Sequence, residues 1–111
     1  MRAKKLIITI GYGYIDPATF ETVTETRQAK AQRLTVYQNR LNEALIQGVK
    51  VNGRYRVRDT YKSPYINWVE IGGVTFKVNT VYDNVDNHYI EIEVGEVLKH
   101  EDNHNTGPTS A

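Results

Sequence analysis

Cysteine is absent from this chain of 111 residues. The sequence therefore offers no disulfide, no thiolate metal ligand and no cysteine nucleophile. Fourteen Lys and Arg stand against thirteen Asp and Glu, and this near balance argues against a module built mainly to coat nucleic acid. The length fits a single domain, because roughly 100–200 residues per domain is the usual range.

Long apolar runs are also absent. The basic residues Arg2, Lys4 and Lys5 are followed by an apolar stretch that extends only from Leu6 to Ile10 and is interrupted by Thr9. Such a stretch is too short for a secretion signal or a membrane span. We expect synthesis in the cytoplasm and no association with a membrane.

Groups suited to nucleophilic catalysis are scarce. Serine occurs only at Ser63 and Ser110, and histidine only at His88, His100 and His104. Nucleophilic catalysis needs a nucleophile held beside a base, and none of these residues stands in a pattern that provides one. The sequence indicates no catalytic residue, no metal site and no cofactor, and it predicts a protein that is not an enzyme.

A β-hairpin is the clearest element that is present. Gly72-Gly73 joins two short segments rich in β-branched residues, and a two-residue glycine loop is typical of hairpins. This loop sets a pairing register that sorts the side chains onto two faces. One face carries the apolar pairs Ile71–Val74 and Val69–Phe76. The other face carries the pairs Glu70–Thr75 and Trp68–Lys77. A single register that sorts both faces favours a half-buried hairpin.

Alternation of apolar and polar residues predicts further strands after the hairpin and near the N-terminus. The segment Tyr89–Val94 alternates strictly and completes an antiparallel meander over Trp68–Val97. The segment Leu6–Tyr14 is predicted as the first strand. A turn at Asp16–Thr19 then leads into a returning strand at Phe20–Thr26.

The middle of the chain has helical spacing. Apolar residues from Leu41 to Val49 recur at the i, i+3, i+4 positions of a helix. Asn39 is a candidate cap for its start and Gly48 a candidate for its end. These signals predict one short helix at about residues 39–47.

A turn at Asn52-Gly53 and an alternating strand at Arg54–Tyr61 follow the helix. The predicted fold class is mainly β, a small antiparallel β-barrel or sandwich with one short helix. Residues 1–99 form a single domain, and residues 100–111 are expected to be a flexible polar tail because they are almost without apolar side chains.

Charge is distributed unevenly along the predicted strands. Arg54, Arg56 and Arg58 share one strand face, while Glu91 and Glu93 share the predicted outward face of the last strand. One interpretation pairs the basic strand with the acidic strand inside one sheet. A second has the basic flank of one subunit meet the acidic flank of the next, which closes a ring. A third has the arginines face the phosphates of a nucleic acid.

The order of elements resembles the head–tail adaptor family of tailed bacteriophages, also called head-completion or stopper proteins. The resemblance runs from Leu6 to Val97. It is carried by the helix, the basic strand Arg54–Arg58, the glycine hairpin Val69–Val78 and the alternating strand Tyr89–Val94.

This resemblance implies a structural protein of the virion, located at the head–tail interface and assembled as a homo-oligomeric ring from chains that are monomers when free. Its implied partners are portal or adaptor proteins and tail proteins, with non-specific contact to phage DNA in the channel. The loop of a stopper would correspond to Gln47–Gly53. Alternatives are a tail-terminator or other tail-completion ring protein, and a small nucleic-acid-binding β-barrel. The candidate interface or channel-facing residues are Gln47, Lys50, Asn52, Arg54, Arg56, Arg58, Glu91 and Glu93.

Overall fold

The computed structural model describes the backbone of residues 5–86 and 88–100, and the side chains of residues 5–83 and 88–98. Within these ranges the chain forms six strands, one α-helix and one turn of 3-10 helix. In chain order they are β1 Lys5–Ile15, β2 Thr22–Leu34, α1 Gln38–Gln47, β3 Gly53–Arg58, the 3-10 turn Asp59–Tyr61, β4 Ile66–Ile71, β5 Val74–Asp86 and β6 Tyr89–His100.

The strands close into an antiparallel barrel in the order β1-β2-β3-β6-β5-β4, with β4 pairing back onto β1. Two long hairpins, β1–β2 and β5–β6, supply most of the wall. The shorter strands β3 and β4 join the two hairpins on either side. The predicted fold class is confirmed, and of its two architectures the molecule adopts the barrel.

The core follows from strand alternation, because successive side chains of a strand point to opposite faces. Ile8 and Ile10 of β1 and Ile90 and Ile92 of β6 are completely or almost completely buried inside the barrel. On β2 the side chains that point inward next to β1 are small, and Ala31 is one of them. The inward faces predicted for the first and last strands are confirmed.

The glycine hairpin has the predicted register, with all four predicted pairs present between β4 and β5. Gly72 and Gly73 both have positive φ angles, 59° and 83°, a conformation that glycine adopts without a steric penalty. The indole of Trp68 lies against Gly11, where a Cβ would fall 1.9 Å from the ring. The strand pairing shifts register at this point, between Gly11 and Tyr12.

The helix is present, but its predicted start is wrong. It begins at Gln38, with Tyr37 at the N-cap position, so Asn39 lies inside the first turn and does not cap it. Gly48 does end the helix. Its φ angle of 74° is left-handed, and the backbone N–H at this end donates to the carbonyl oxygens of Ala44 and Leu45.

Three other local predictions differ from the structure. The strand predicted at Arg54–Tyr61 ends at Arg58, where the 3-10 turn begins. Asn52-Gly53 is not a turn, because Gly53 begins β3 and the N–H of Asn52 donates to the carbonyl oxygen of Val94 at 2.8 Å. The returning strand continues past Thr26 as far as Leu34. The predicted tail lies outside the described residues except for its first residue, which ends β6. Among the described residues no helix is long and apolar enough to cross a membrane.

Candidate interaction surface

The basic strand and the acidic strand are neighbours in the barrel. β3 pairs with β6 so that Arg54 lies opposite Glu93 and Arg56 opposite Glu91. The residues between them, such as Ile92, point into the core, which puts the four charged residues on the outer face. The interpretation in which the two strands pair within one sheet is therefore confirmed.

Glu91 is held by two arginines of β3. Its Oε1 accepts a hydrogen bond from Nε of Arg54 at 2.6 Å, and its Oε2 accepts one from Nη2 of Arg56 at 2.9 Å. Arg54 thus reaches diagonally to Glu91 and not straight across the ladder to Glu93. Its guanidinium carbon lies 4.0 Å from the ring centre of Tyr82, a distance at which a cation is attracted to the ring.

Glu93 is completely buried and accepts four hydrogen bonds. Arg40 of α1 donates two of them, from Nε at 2.8 Å and from Nη2 at 2.9 Å. Asn79 donates from Nδ2 at 3.0 Å, and the Tyr82 hydroxyl donates at 3.2 Å. Both glutamates of β6 therefore lie on the outer face, as predicted, but arginine side chains and neighbouring polar groups cover them.

These contacts shift the ionisation of the buried carboxylate. The hydrogen bonds from Arg40 are the largest cause and hold the pKa of Glu93 below its usual range, while burial opposes them and the bonds from Asn79 and Tyr82 assist. The same pairing raises the pKa of Arg40. Both groups are therefore charged at neutral pH, and the pair is a two-bond ion pair inside a covered site.

Gly95 positions the polar groups around Glu93. A Cβ at Gly95 would fall 2.3 Å from Oδ1 of Asn79, so the amide occupies space that any other residue would fill. Asn79 also donates to the carbonyl oxygen of Lys50 at 2.8 Å, and Asn52 donates to the carbonyl oxygen of Gly95 at 2.7 Å. The loop between α1 and β3 is thus fastened to β5 and β6 by two amide side chains.

Whereas β6 has buried charged side chains, the helix α1 has exposed apolar side chains. Leu45 is 79% exposed and Ile46 is 86% exposed, and Ala44 is the buried residue of the helix. Of the apolar residues whose spacing predicted the helix, Ala44 is buried and Leu41 and Val49 are half-buried, but Leu45 is exposed. We call the adjacent exposed side chains of Leu45 and Ile46 the helix patch. Such solvent-exposed apolar side chains are typical of sites where another protein binds.

An open groove of about 870 Å³ runs beside the C-terminal end of α1. We call it the helix groove. Its walls come from the loop after the helix, from β5 and from the far end of β6. Lys50, Lys77 and Glu96 give it charges of both signs, and Val97, which is 49% exposed, adds an apolar contact.

The candidate residues from the sequence fall into separate places. Lys50 and Asn52 line the helix groove, and Gln47 is the exposed last residue of α1. Arg54 and Arg56 are engaged with Glu91. Arg58 is exposed at the end of β3. Glu93 is sealed beneath Arg40.

Three residues of the covered site were missed from the sequence. Tyr82 and Asn79 lie on β5, which neighbours β6. The predicted antiparallel pairing of these two strands is the signal that could have identified them. Arg40 gave no such signal, because it belongs to a helix and stands 53 residues before Glu93. No pattern of periodicity relates positions that far apart.

The chemistry available at these surfaces is that of binding. The carboxylate oxygens of Glu91 and Glu93 are occupied by arginine, amide and phenol donors of the protein itself. Across the described residues, His, Asp and Glu form no group that could hold a metal ion. The helix patch and the helix groove are open to a partner.

Comparison with protein-family models, with curated proteins and with solved structures finds no match to this chain.

Proposed function

We propose that this chain is a structural protein of a tailed-phage particle, a head–tail connector ring component that links the portal to the tail. The observation that carries the proposal is the helix patch beside the helix groove. Leu45 and Ile46 are 79% and 86% exposed although burying such side chains stabilises a protein by about 1.5–3 kcal/mol each. A ring interface would recover this free energy.

The closed barrel is suited to present such an interface on its outer surface. Its closed order leaves none of the six described strands at a sheet edge, so uncontrolled edge-to-edge pairing is suppressed. Contacts are then made by side chains and loops on the outer surface. The fold also agrees with the small β-barrel that the sequence resemblance implies, and the resemblance supplies the portal and the tail as the partners.

Sedimentation velocity over a concentration series, with and without the purified portal protein from the same phage, tests the proposal. We expect wild-type chain to form a ring or to bind the portal, and Leu45→Ser with Ile46→Ser to lose this association. Ile7→Ser is the matched control, because Ile7 is 56% exposed on β1. A free monomer alone is not decisive, since connector subunits assemble on their partner.

Two outcomes contradict the proposal. One is a wild-type chain that stays monomeric and binds neither portal nor tail proteins. The other is loss of association in Ile7→Ser to the same extent as in the helix variant. Binding to tail proteins but not to the portal favours the tail-terminator alternative.

A further inference from the structure

A second opening in the barrel wall lies where β2 and β3 separate. The two strands pair only through Gln32, Arg33 and Leu34 of β2, although β2 itself begins at Thr22. Beyond Gln32 the strands are no longer paired, and the space between them is a cleft of about 620 Å³. The small side chains Ala29 and Ala31 line it and leave it room.

The cleft is lined by cations. Four of its lining residues are basic, and of the described residues that line it none is acidic. The basic residues come from three strands: Lys5, Lys30, Arg56 and Arg58. We call these four residues, with Tyr61 and Tyr89, the basic cleft.

Most of this charge is not neutralised by the residues that the structure describes. Glu91 compensates part of it through its ion pair with Arg56. Within the described parts of the chain no carboxylate lies at ion-pair distance from Lys5, Lys30 or Arg58. All three of those side chains are exposed, so an anionic ligand can reach them.

The tyrosines of the cleft orient cations. The guanidinium carbon of Arg58 lies 5.5 Å from the ring centre of Tyr89, and that of Arg56 lies 5.9 Å from it. The ring of Tyr61 is covered by Arg27 at 4.8 Å. Rings already engaged by arginine are poor platforms for a nucleobase, which binds single-strand proteins by stacking on an open aromatic face. The available contacts are those of Lys and Arg with phosphate.

We propose that the basic cleft binds the backbone phosphates of nucleic acid without sequence preference. The site differs from the row of arginines that the sequence suggested, because Arg54 does not line the cleft, whereas Lys5 and Lys30 do. The proposal does not rest on a role in a connector ring. A balanced total charge does not oppose it, because a local cluster sets the potential that an anion meets.

Fluorescence anisotropy of a labelled mixed-sequence DNA duplex, measured over a series of salt concentrations, tests the proposal. The test variant combines Lys5→Ala, Lys30→Ala and Arg58→Ala. The control combines Arg33→Ala with Lys62→Ala, which removes positive charge from exposed positions that line neither the basic cleft nor the helix groove. Circular dichroism establishes that both variants are folded.

We expect wild-type chain to bind the duplex with an affinity that falls as salt rises. The slope of log K against log salt should become shallower by about 0.9 for each phosphate that the test variant no longer neutralises. The control should keep the wild-type slope. The helix variant Leu45→Ser with Ile46→Ser should also bind DNA normally, so failure of this proposal is distinguishable from failure of the connector proposal.

Three outcomes overturn the proposal. They are absence of DNA binding by wild-type chain, equal loss in the test and control variants, and displacement of DNA by polyglutamate as effectively as by unlabelled DNA at equal charge. The last outcome would assign the cleft to acidic protein segments.

Discussion

The outer face of β6 and the helix α1 reverse the usual distribution of polar and apolar side chains. Glu93 is completely buried, and charged side chains are almost never fully buried unless they are paired. Ile46 is 86% exposed, although isoleucine is among the residues most often buried. The two regions touch, since Arg40 of the helix covers Glu93. Glu93 is buried because hydrogen-bond donors of neighbouring residues reach its carboxylate. The hydropathy of a residue therefore does not decide its burial in these two regions.

The two regions also have separate roles. The ion pair between Arg40 and Glu93 holds the helix on the barrel, and the side chains of Asn52 and Asn79 hold the following loop, so these groups are structural. The helix patch contributes little to holding the helix in place, so it is available for an interface. Substitutions in the first region should change folding stability, and substitutions in the second should change association.

The largest expected effect is that of Arg40→Ala. It leaves the carboxylate of Glu93 buried without its ionic partner, which is strongly destabilising because an uncompensated charge stays in the covered site. The free energy of unfolding from urea titration measures this loss. Glu43→Ala is the matched control, because the side chain of Glu43 pairs with the same Arg40 but is 60% exposed, and an exposed pair contributes about 0–1 kcal/mol. Equal losses of unfolding free energy in the two variants would contradict the conclusion that the pair between Arg40 and Glu93 stabilises the fold.

A matched pair of isoleucines compares the barrel with the helix directly. Ile92→Ala should lower the free energy of unfolding by about 2–5 kcal/mol, because it opens a cavity in the core. Ile46→Ala should change it by less than about 0.5 kcal/mol, because the side chain is in solvent. Thermal and urea denaturation of the two variants give the comparison. A large loss in Ile46→Ala would mean that the helix patch is packed against the barrel in solution.

The smallest expected effect is a difference in acid sensitivity. The pKa of Glu93 is lower in the folded chain than its usual value, so its contribution to stability is complete above the unfolded pKa of about 4.3. That contribution is lost as pH falls through the folded pKa. Relative to Glu93→Gln, wild-type chain should therefore lose its advantage in the acid range. An advantage that stays constant from neutral to acid pH would show that the carboxylate is not ionised in the pair.

The sequence predicted most of the barrel because its strands carry strong local signals. The hairpin at Gly72-Gly73 had only one register that sorted both faces, and the alternation of β6 identified its inward isoleucines. Closure by pairing of β4 with β1 had no local signal. The long extension of β2 was missed because the inward positions of its second half are alanines, Ala29 and Ala31, and their small side chains make the alternation in hydropathy weak.

The candidate surface was predictable only in part. Alternation correctly assigned Glu91 and Glu93 to the outer face, but it carries no information on what covers that face. The cover comes from Arg40 and from the loop that Asn52 and Asn79 fasten. These contacts depend on where a helix returns to the sheet, and helix periodicity alone does not specify that position.

The ion pair between Arg40 and Glu93 has a consequence for the order of folding. Its two residues are 53 positions apart, and contacts of long sequence separation form late because they require closure of a long loop. The β5–β6 hairpin can form locally, but its glutamate stays solvated until β3 and the helix arrive. We therefore expect the helix to dock after the β5–β6 hairpin has formed.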